Sequence, residues 1–383
     1  MKIVVAPNSL KGSLGAVAAA QAMSAGVRLA APAAEIVQVP VADGGDGLLE
    51  VLGTGEGLER IPCRVTGPLG SPVDCALLYA ADRRLAIIEM AAAAGLALLP
   101  SSGLDPMQAT TFGVGELLRV ALDHGARRII LGIGGSATSD GGTGLARALG
   151  ARFLDAHGKE LPGNAAALQH IKRIDLEQLD PRLAQAHIDV ICDVDNPLLG
   201  AAGAARVFSP QKGASPGQVE AIEAGLENLA HLVEQQLGRD IRNLRGGGAA
   251  GGLGAGLVVF LQAALRPGAE LVLELTGFEA ALDGASLVLT AEGRLDSQTA
   301  HGKAPAAVAG LASRHGIPCI ALAGSLGPNL QALQAAGITA CFSLCPGPLD
   351  LDAAMQQAAP LLTRACEQAV RCFLAGNPAN LKP

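Results

Sequence analysis

A chain of 383 residues is long enough for two or three domains and a large core. Half of it is hydrophobic but only 2% is aromatic, so Ala, Val, Leu and Ile must build the interior, as in helices packed on a sheet. The formal charge of −7, without a basic block, excludes the electrostatic footprint of a nucleic-acid or anionic-lipid binder, and any phosphate ligand would have to be held by a few local groups.

The first elements alternate. A strand over residues 2–6, a helix over 16–30, a strand over 35–39 and a helix over 46–52 give the rhythm of parallel α/β units. From 61 to 90, β runs are punctuated by Thr66-Gly67-Pro68, Gly70-Ser71-Pro72 and Asp82-Arg83-Arg84, which predicts antiparallel strands and a domain crossing near residue 70. A helix over 112–124, a strand over 127–131, a helix over 143–149 and strands over 151–154 and 188–192 restore α/β alternation. The longest helix candidate, 218–237, carries Val219, Ile222, Leu226, Leu229 and Val233 on one stripe. Residues 246–256 hold seven glycines among eleven positions and lead into a helical pattern over 257–264. A flexible linker fits that composition, although linkers seldom run directly into an apolar helix.

From residue 285 the pattern reads strand (286–290), helix (303–315), strand (318–322), helix, strand (338–342) and a terminal helix ending near Leu374. The N-terminal stretch is too small to fold alone and is expected to pair with this C-terminal one. The chain is therefore read as α/β with two α/β domains: a discontinuous Rossmann-like domain from 1–70 plus 285–383, and an inserted one over 71–284. The active site is expected in the cleft between them.

Eight scattered cysteines without a C-x-x-C pair predict reduced thiols and a cytoplasmic protein. The apolar run Ile3-Val4-Val5-Ala6 is too short for a signal-peptide core before Pro7-Asn8 interrupts it. The longest apolar stretch, 249–261, is 13 residues and glycine-broken, below the roughly 18–20 that a spanning helix needs. Neither export nor a membrane span is expected.

Chemistry concentrates where strands end, the usual ligand edge of open α/β sheets. After the strand over 127–131 comes Gly132-Ile133-Gly134-Gly135-Ser136-Ala137-Thr138-Ser139-Asp140-Gly141-Gly142 and then a helix. Glycines admit an anion close to the backbone, while N–H groups and hydroxyls at a helix start supply donors, so Gly132, Gly134, Gly135, Ser136 and Thr138 read as a phosphate-holding set. Gly132, Gly134 and Ala137, with Asp155 18 residues further on, also satisfy a dinucleotide fingerprint, which keeps an NAD(P)-dependent hydroxyacid dehydrogenase as the alternative. Its weakness is geometric: a helix beginning at the second glycine would carry Gly141-Gly142 in its first turn, at about 1 kcal/mol each. The P-loop pattern G-x-x-x-x-G-K-[ST] is absent, and the seven histidines lack zinc-ligand spacing.

Lys11, in Asn8-Ser9-Leu10-Lys11-Gly12, is placed to meet a carboxylate or phosphate, or is an ordinary surface charge. Asp43 and Asp46 flank Gly44-Gly45 and serve either a ligand or a helix cap. Asp193 and Asp195 follow a strand with the same parity and could hold Mg²⁺ or accept a hydroxyl proton, unless Asn196-Pro197 uses Asp195 only to close a turn. Glu292, Arg294 and Asp296 alternate after another strand, where Arg294 could clamp an anion or merely pair with an acid.

Several phosphate-type loops with clustered carboxylates and two isolated cations suit phosphoryl transfer, whose catalysis is mostly positioning and electrostatics. In order along the chain, residues 3–14 (IVVAPNSLKGSL), 41–47 (VADGGDG), 132–142 (GIGGSATSDGG), 192–214 (CDVDNPLLGAAGAARVFSPQKGA), 249–256 (AAGGLGAG) and 288–303 (VLTAEGRLDSQTAHGK) resemble the successive motifs of the bacterial type I glycerate kinases. The resemblance implies ATP and D-glycerate as substrates, Mg²⁺ as cofactor, 2-phosphoglycerate as product and a two-domain α/β architecture. A homodimer is left open. Asn8 stands where an Asp is expected, Leu10 where Phe is usual and Ala291 where Gly is usual. Because Asn8 cannot act as a base, that role is placed among Asp193, Asp195 and Asp296. Lys11 and Arg294 complete the catalytic set, with Asn8, Ser9, Asp43 and Asp296 as substrate contacts and Asp193 and Asp195 as metal ligands.

Overall fold

The computed structural model describes residues 1–42, 47–53, 55, 57–296, 299, 303–328 and 330–376. The chain divides into two compact units, one of Met1–Asp43, Glu50–Leu52 and Pro267–Pro383, the other of Gly44–Leu49 and Gly53–Arg266. Each is an α/β assembly, and the first is built from discontinuous segments.

In the first unit, β1 (Lys2–Val5) and β2 (Glu35–Gln38) join β11 (Ala285–Leu295), β12 (Cys319–Leu326) and β13 (Ile338–Ser343) in the order β13-β12-β11-β1-β2. All pairings are parallel. Such a sheet is buried on both faces, which is why Ile3, Val4 and Val5 are all apolar rather than alternating. Ile3, Val5, Leu287, Leu289 and Leu322 share one core with Met23 and Val27 of the helix Ala16–Ala30 and Leu362, Cys366 and Val370 of the helix Ala358–Ala375. The two helices meet so closely at Gly26 that a Cβ there would lie 2.4 Å from the carbonyl oxygen of Thr363. β1 stops at Val5, opposite Leu289, but β11 continues, pairing with β12 as far as Leu295↔Leu326. Glu292 and Arg294 therefore lie in the strand itself, not in a loop after residue 290 as the sequence suggests.

In the second unit, β3 (Glu59–Thr66), β4 (Pro72–Ala80), β5 (Leu85–Glu89), β6 (Arg128–Gly132), β9 (His187–Ile191) and β10 (Ala264–Arg266) form a sheet in the order β10-β9-β6-β5-β4-β3. β3, β4 and β5 are antiparallel neighbours, as the turn signals predict, and the remaining pairings are parallel. The register Glu89↔Gly132↔Ile191 brings the ends of β5, β6 and β9 to one edge, from which three loops leave together. The long helix Pro216–Leu237 buries its predicted stripe, Val219, Ile222, Leu226, Leu229 and Val233. Ser215 and Gln218 close a capping box at its start.

Two sequence expectations change here. The strand expected at 151–154 exists as β7 (Arg152–Leu154), but it pairs antiparallel with β8 (Arg173–Asp175) in a separate two-stranded sheet. The glycine-dense stretch is no linker: the helical segment Ala249–Phe260 begins within it and kinks at residues 250–252, which are left-handed, and the helix expected to reach residue 264 ends at Phe260, with Ala264 opening β10. Its glycines are packing surfaces. A Cβ on Gly251, whose φ is +70°, would lie 2.1 Å from the carbonyl oxygen of Thr138, and one on Gly256 would lie 2.4 Å from that of Gly141. No helix among the described residues is long and apolar enough to cross a membrane, and all eight cysteines are free thiols.

Candidate active site

The loop from Gly132 to Gly142 leaves the end of β6 and is fastened along its length. Ala137 N–H donates to Ala94 O at 2.9 Å and Gly135 O accepts from Leu96 N–H at 2.8 Å, tying it to the turn that follows β5. Gly141 N–H donates to Gly251 O at 3.1 Å. Asp140 is fully buried and anchors the far end, its carboxylate accepting from Thr111 N–H (2.7 Å), Thr111 Oγ1 (2.8 Å), Gly142 N–H (3.0 Å) and Gly144 N–H (3.3 Å). Burial pushes its carboxyl pKa upward, and these donors pull against that shift. Ser136 and Thr138 are buried, whereas Gly135 is exposed in a left-handed conformation (φ +70°) that suits glycine.

Sequence reasoning assigned no role to the cation that serves this loop. Lys212 closes the short 3₁₀ turn Pro210–Lys212, and its side chain is only 2% exposed. Its Nζ donates to Ser136 Oγ at 2.8 Å and to the carbonyl oxygen of Thr138 at 2.5 Å. Burial lowers its pKa to about 7, opposed by the charge of Asp140. The neighbouring Ser209 Oγ lies 3.3 Å from Ser139 Oγ, a second tie between the same two segments. The available signal was local: a Lys between Pro210 and Gly213, where Gly213 (φ +92°) forces a tight turn against Leu104.

Asp193 and Asp195 follow β9 at the same sheet edge, and both are exposed. Asp195 spends both carboxylate oxygens on Arg245, accepting from Nε at 2.6 Å and from Nη2 at 2.9 Å. Asn196 Nδ2 donates to Ala202 O at 2.8 Å and shapes the segment that follows.

Of the residues assigned to the first unit, Asn8, Ser9 and Lys11 follow β1, and Glu292, Arg294 and Asp296 lie on or just after β11. The structure brings these together, because Asn8 N–H donates to Ala291 O at 2.8 Å and Gly293 packs against the backbone of Leu10 and Lys11. Asn8 is buried, its Oδ1 accepting from Ser9 N–H at 2.8 Å, while Lys11 is exposed. Arg294 is 65% exposed and meets Asp296 through Nε at 3.1 Å. Glu292 accepts from Thr299 Oγ1 at 3.1 Å and stands 3.9 Å from Lys303 Nζ. Asp43, assigned to the substrate, lies outside the described residues, as does Asp46.

The dinucleotide alternative finds no support. The helix after the loop starts at Thr143, preceded by Gly142 in a left-handed conformation, far beyond the second glycine. Asp155 follows β7 of the separate two-stranded sheet and accepts from its own turn, His157 N–H at 2.8 Å and Lys159 N–H at 2.9 Å, instead of marking the end of an adjacent parallel strand.

Among the described residues no trio of His, Cys, Asp or Glu is placed to hold a metal ion. Mg²⁺ in phosphoryl transfer asks less of a protein, one or two carboxylates with the nucleotide phosphates completing its shell. Asp193, exposed at a strand end, fits that demand. Asp195 fits only after releasing Arg245.

Comparison with known proteins agrees with this architecture. Residues 3–374 match the glycerate kinase family. A protein named glycerate kinase from Halalkalibacterium halodurans is 46% identical over 363 residues, covering 95% of this chain and 96% of its own. One named glycerate 2-kinase from Escherichia coli K12 is 44% identical over 366 residues, covering 95% and 96%. A crystal structure of a chain from Salmonella typhimurium LT2 assigned as glycerate kinase 2 superposes with a TM-score of 0.88 at 44% identity, covering 99% of both chains. With the match spanning both units and every strand-end loop described above, the chain belongs to the glycerate kinase family.

Proposed function

We propose that this chain is an ATP-dependent kinase that phosphorylates D-glycerate on its 2-hydroxyl, giving 2-phosphoglycerate and ADP. The family match across residues 3–374 carries the reading. The relative named glycerate 2-kinase supports the choice of hydroxyl. In this reading Gly132, Gly134, Gly135, Ser136 and Thr138 hold the nucleotide phosphates, and the charge of Lys212 lies directly beneath them. Lys11 and Arg294 hold carboxylate or transferring phosphoryl charge, with Asn8, Ser9, Asp43 and Asp296 as further substrate contacts. Asp193 takes the hydroxyl proton or contributes to the metal. Mg²⁺, when bound, neutralises phosphate charge as it is transferred.

A carboxylate clamped by one cation leaves its neighbouring C2 hydroxyl nearest to the clamp, so an adjacent base reaches it before the more distant C3 hydroxyl, given that reacting atoms must approach to about 3–3.5 Å. The test is a coupled assay. Purified protein with MgATP and D-glycerate should release ADP only when glycerate is present, and enolase added without phosphoglycerate mutase should turn the product into phosphoenolpyruvate. A product that needs the mutase first would show phosphorylation at C3, and ADP release indifferent to glycerate would remove the kinase reading.

A further inference from the structure

Two polar groups under the Gly132–Gly142 loop are costlier than its folding requires. Lys212 carries an ammonium into a site where it is 2% exposed, and two of its three N–H bonds have acceptors among the described residues, Ser136 Oγ and Thr138 O. Thr138 is fully buried, and its Oγ1 has no hydrogen-bond partner among the described residues. The loop's one acid does not use up the cation: Asp140 acts on Lys212 through space, and its own oxygens are occupied by Thr111, Gly142 and Gly144. An unsatisfied buried hydroxyl and an incompletely solvated ammonium each oppose folding, and a methyl in place of the hydroxyl would pack at lower cost. Both groups meet at one residue, since Lys212 Nζ rests on the carbonyl of the same Thr138 whose hydroxyl is left over. They sit within a loop whose glycine backbone can approach an anion.

We propose that Lys212 and the Thr138 hydroxyl are a phosphate-binding pair: the fold leaves both under-satisfied so that a phosphate oxygen of the nucleotide completes both. The inference rests on the kinase reading and adds to it the cation that the glycine loop lacks in sequence. A built anion site should be less stable empty than its apolar replacement, and it should lose affinity when that replacement is made. A structural staple should behave in the opposite way.

The experiment compares wild type with Thr138→Val, which keeps the shape and removes the hydroxyl, and with Lys212→Met, which keeps the stem and removes the charge. Melting temperature is read without ligand, and ATP affinity by isothermal titration calorimetry with Mg²⁺ present. The Kd for ATP should increase about tenfold in each variant, the usual effect of losing a hydrogen bond to a charged group, and Tm should stay level or rise in Thr138→Val; Lys212→Met also strands the acceptors Ser136 Oγ and Thr138 O, so its Tm falls and only its Kd is read. A Kd for ATP within about threefold of wild type in either variant, or a weakened Kd in Thr138→Val accompanied by a lowered Tm, overturns the proposal. Should Lys212→Met fail to fold, Thr138→Val decides alone. Neither readout depends on turnover, so a chain that binds ATP but ignores glycerate would refute glycerate as the acceptor, while the nucleotide site is judged by Kd and Tm alone.

Discussion

At the scale of single residues, the two acids after β9 share parity and exposure, and the partner of Asp195 bears on its role. Asp195 is committed to Arg245 through two short hydrogen bonds, which hold its carboxyl pKa below the usual carboxylate range. Such a group is a poor proton acceptor and a metal ligand only at the cost of its partner. Asp193 is the residue tested first for the role of base or metal ligand. Asparagine has nearly its shape but neither its charge nor its proton affinity, so Asp193→Asn should bind ATP normally yet turn over about 10²-fold more slowly. Steady-state kinetics with calorimetry will tell: a variant that keeps most of its kcat moves the role to Asp296. Arg294 carries the same lesson from the other unit. Its pairing with Asp296 is the ordinary surface arrangement that local sequence also allowed, and its proposed clamp function requires substrate to compete with that acid.

At the scale of elements, the glycine-dense stretch before residue 256 is a surface on which the 132–142 loop lies. Alternation and periodicity could not reveal this, because Gly251 and Gly256 meet the carbonyl oxygens of Thr138 and Gly141, more than a hundred residues away. At Gly251 a side chain would meet both a left-handed φ and the Thr138 carbonyl, so Gly251→Ala should destabilise the protein by about 2–4 kcal/mol, from αL strain together with overpacking. Gly217, in the first turn of the helix Pro216–Leu237 with nothing within 4 Å of where an added methyl would sit, is the control and should tolerate Ala with a change under about 1 kcal/mol. Urea denaturation midpoints compare the two. Equal midpoints would mean that Gly251 is not a close-approach position.

For the whole molecule, the assigned roles divide by unit. The glycine loop and Lys212 belong to the second unit, while Asn8, Ser9, Lys11, Arg294 and Asp296 belong to the first. A non-hydrolysable ATP analogue should therefore slow amide hydrogen exchange mainly in peptides spanning 132–142 and 209–214, and D-glycerate alone should slow it mainly across 8–11 and 292–296. Binding stabilises the segments that contact a ligand, so the two maps should be separable by mass spectrometry. Nucleotide protection falling in the first unit instead would reverse the assignment of ATP and glycerate to their loops.

Much of this was open to reading from the sequence alone. Strand-loop-helix alternation, turn residues between β3 and β4, the buried stripe of the long helix and the phosphate-type loop after β6 all depend on local periodicity and backbone preference, which neighbouring residues determine. The discontinuous pairing of chain ends also followed, since β1 and β2 are too few to make a sheet. Only the tertiary structure decided that Lys212 reaches Ser136 and Thr138, that Asp195 is bound to Arg245, that β11 runs on through Arg294 beside β12, and that β7 leaves the main sheet. These are contacts between segments separated in sequence, chosen by which donors and acceptors the fold brings within reach of one another, and no periodicity within a segment encodes them.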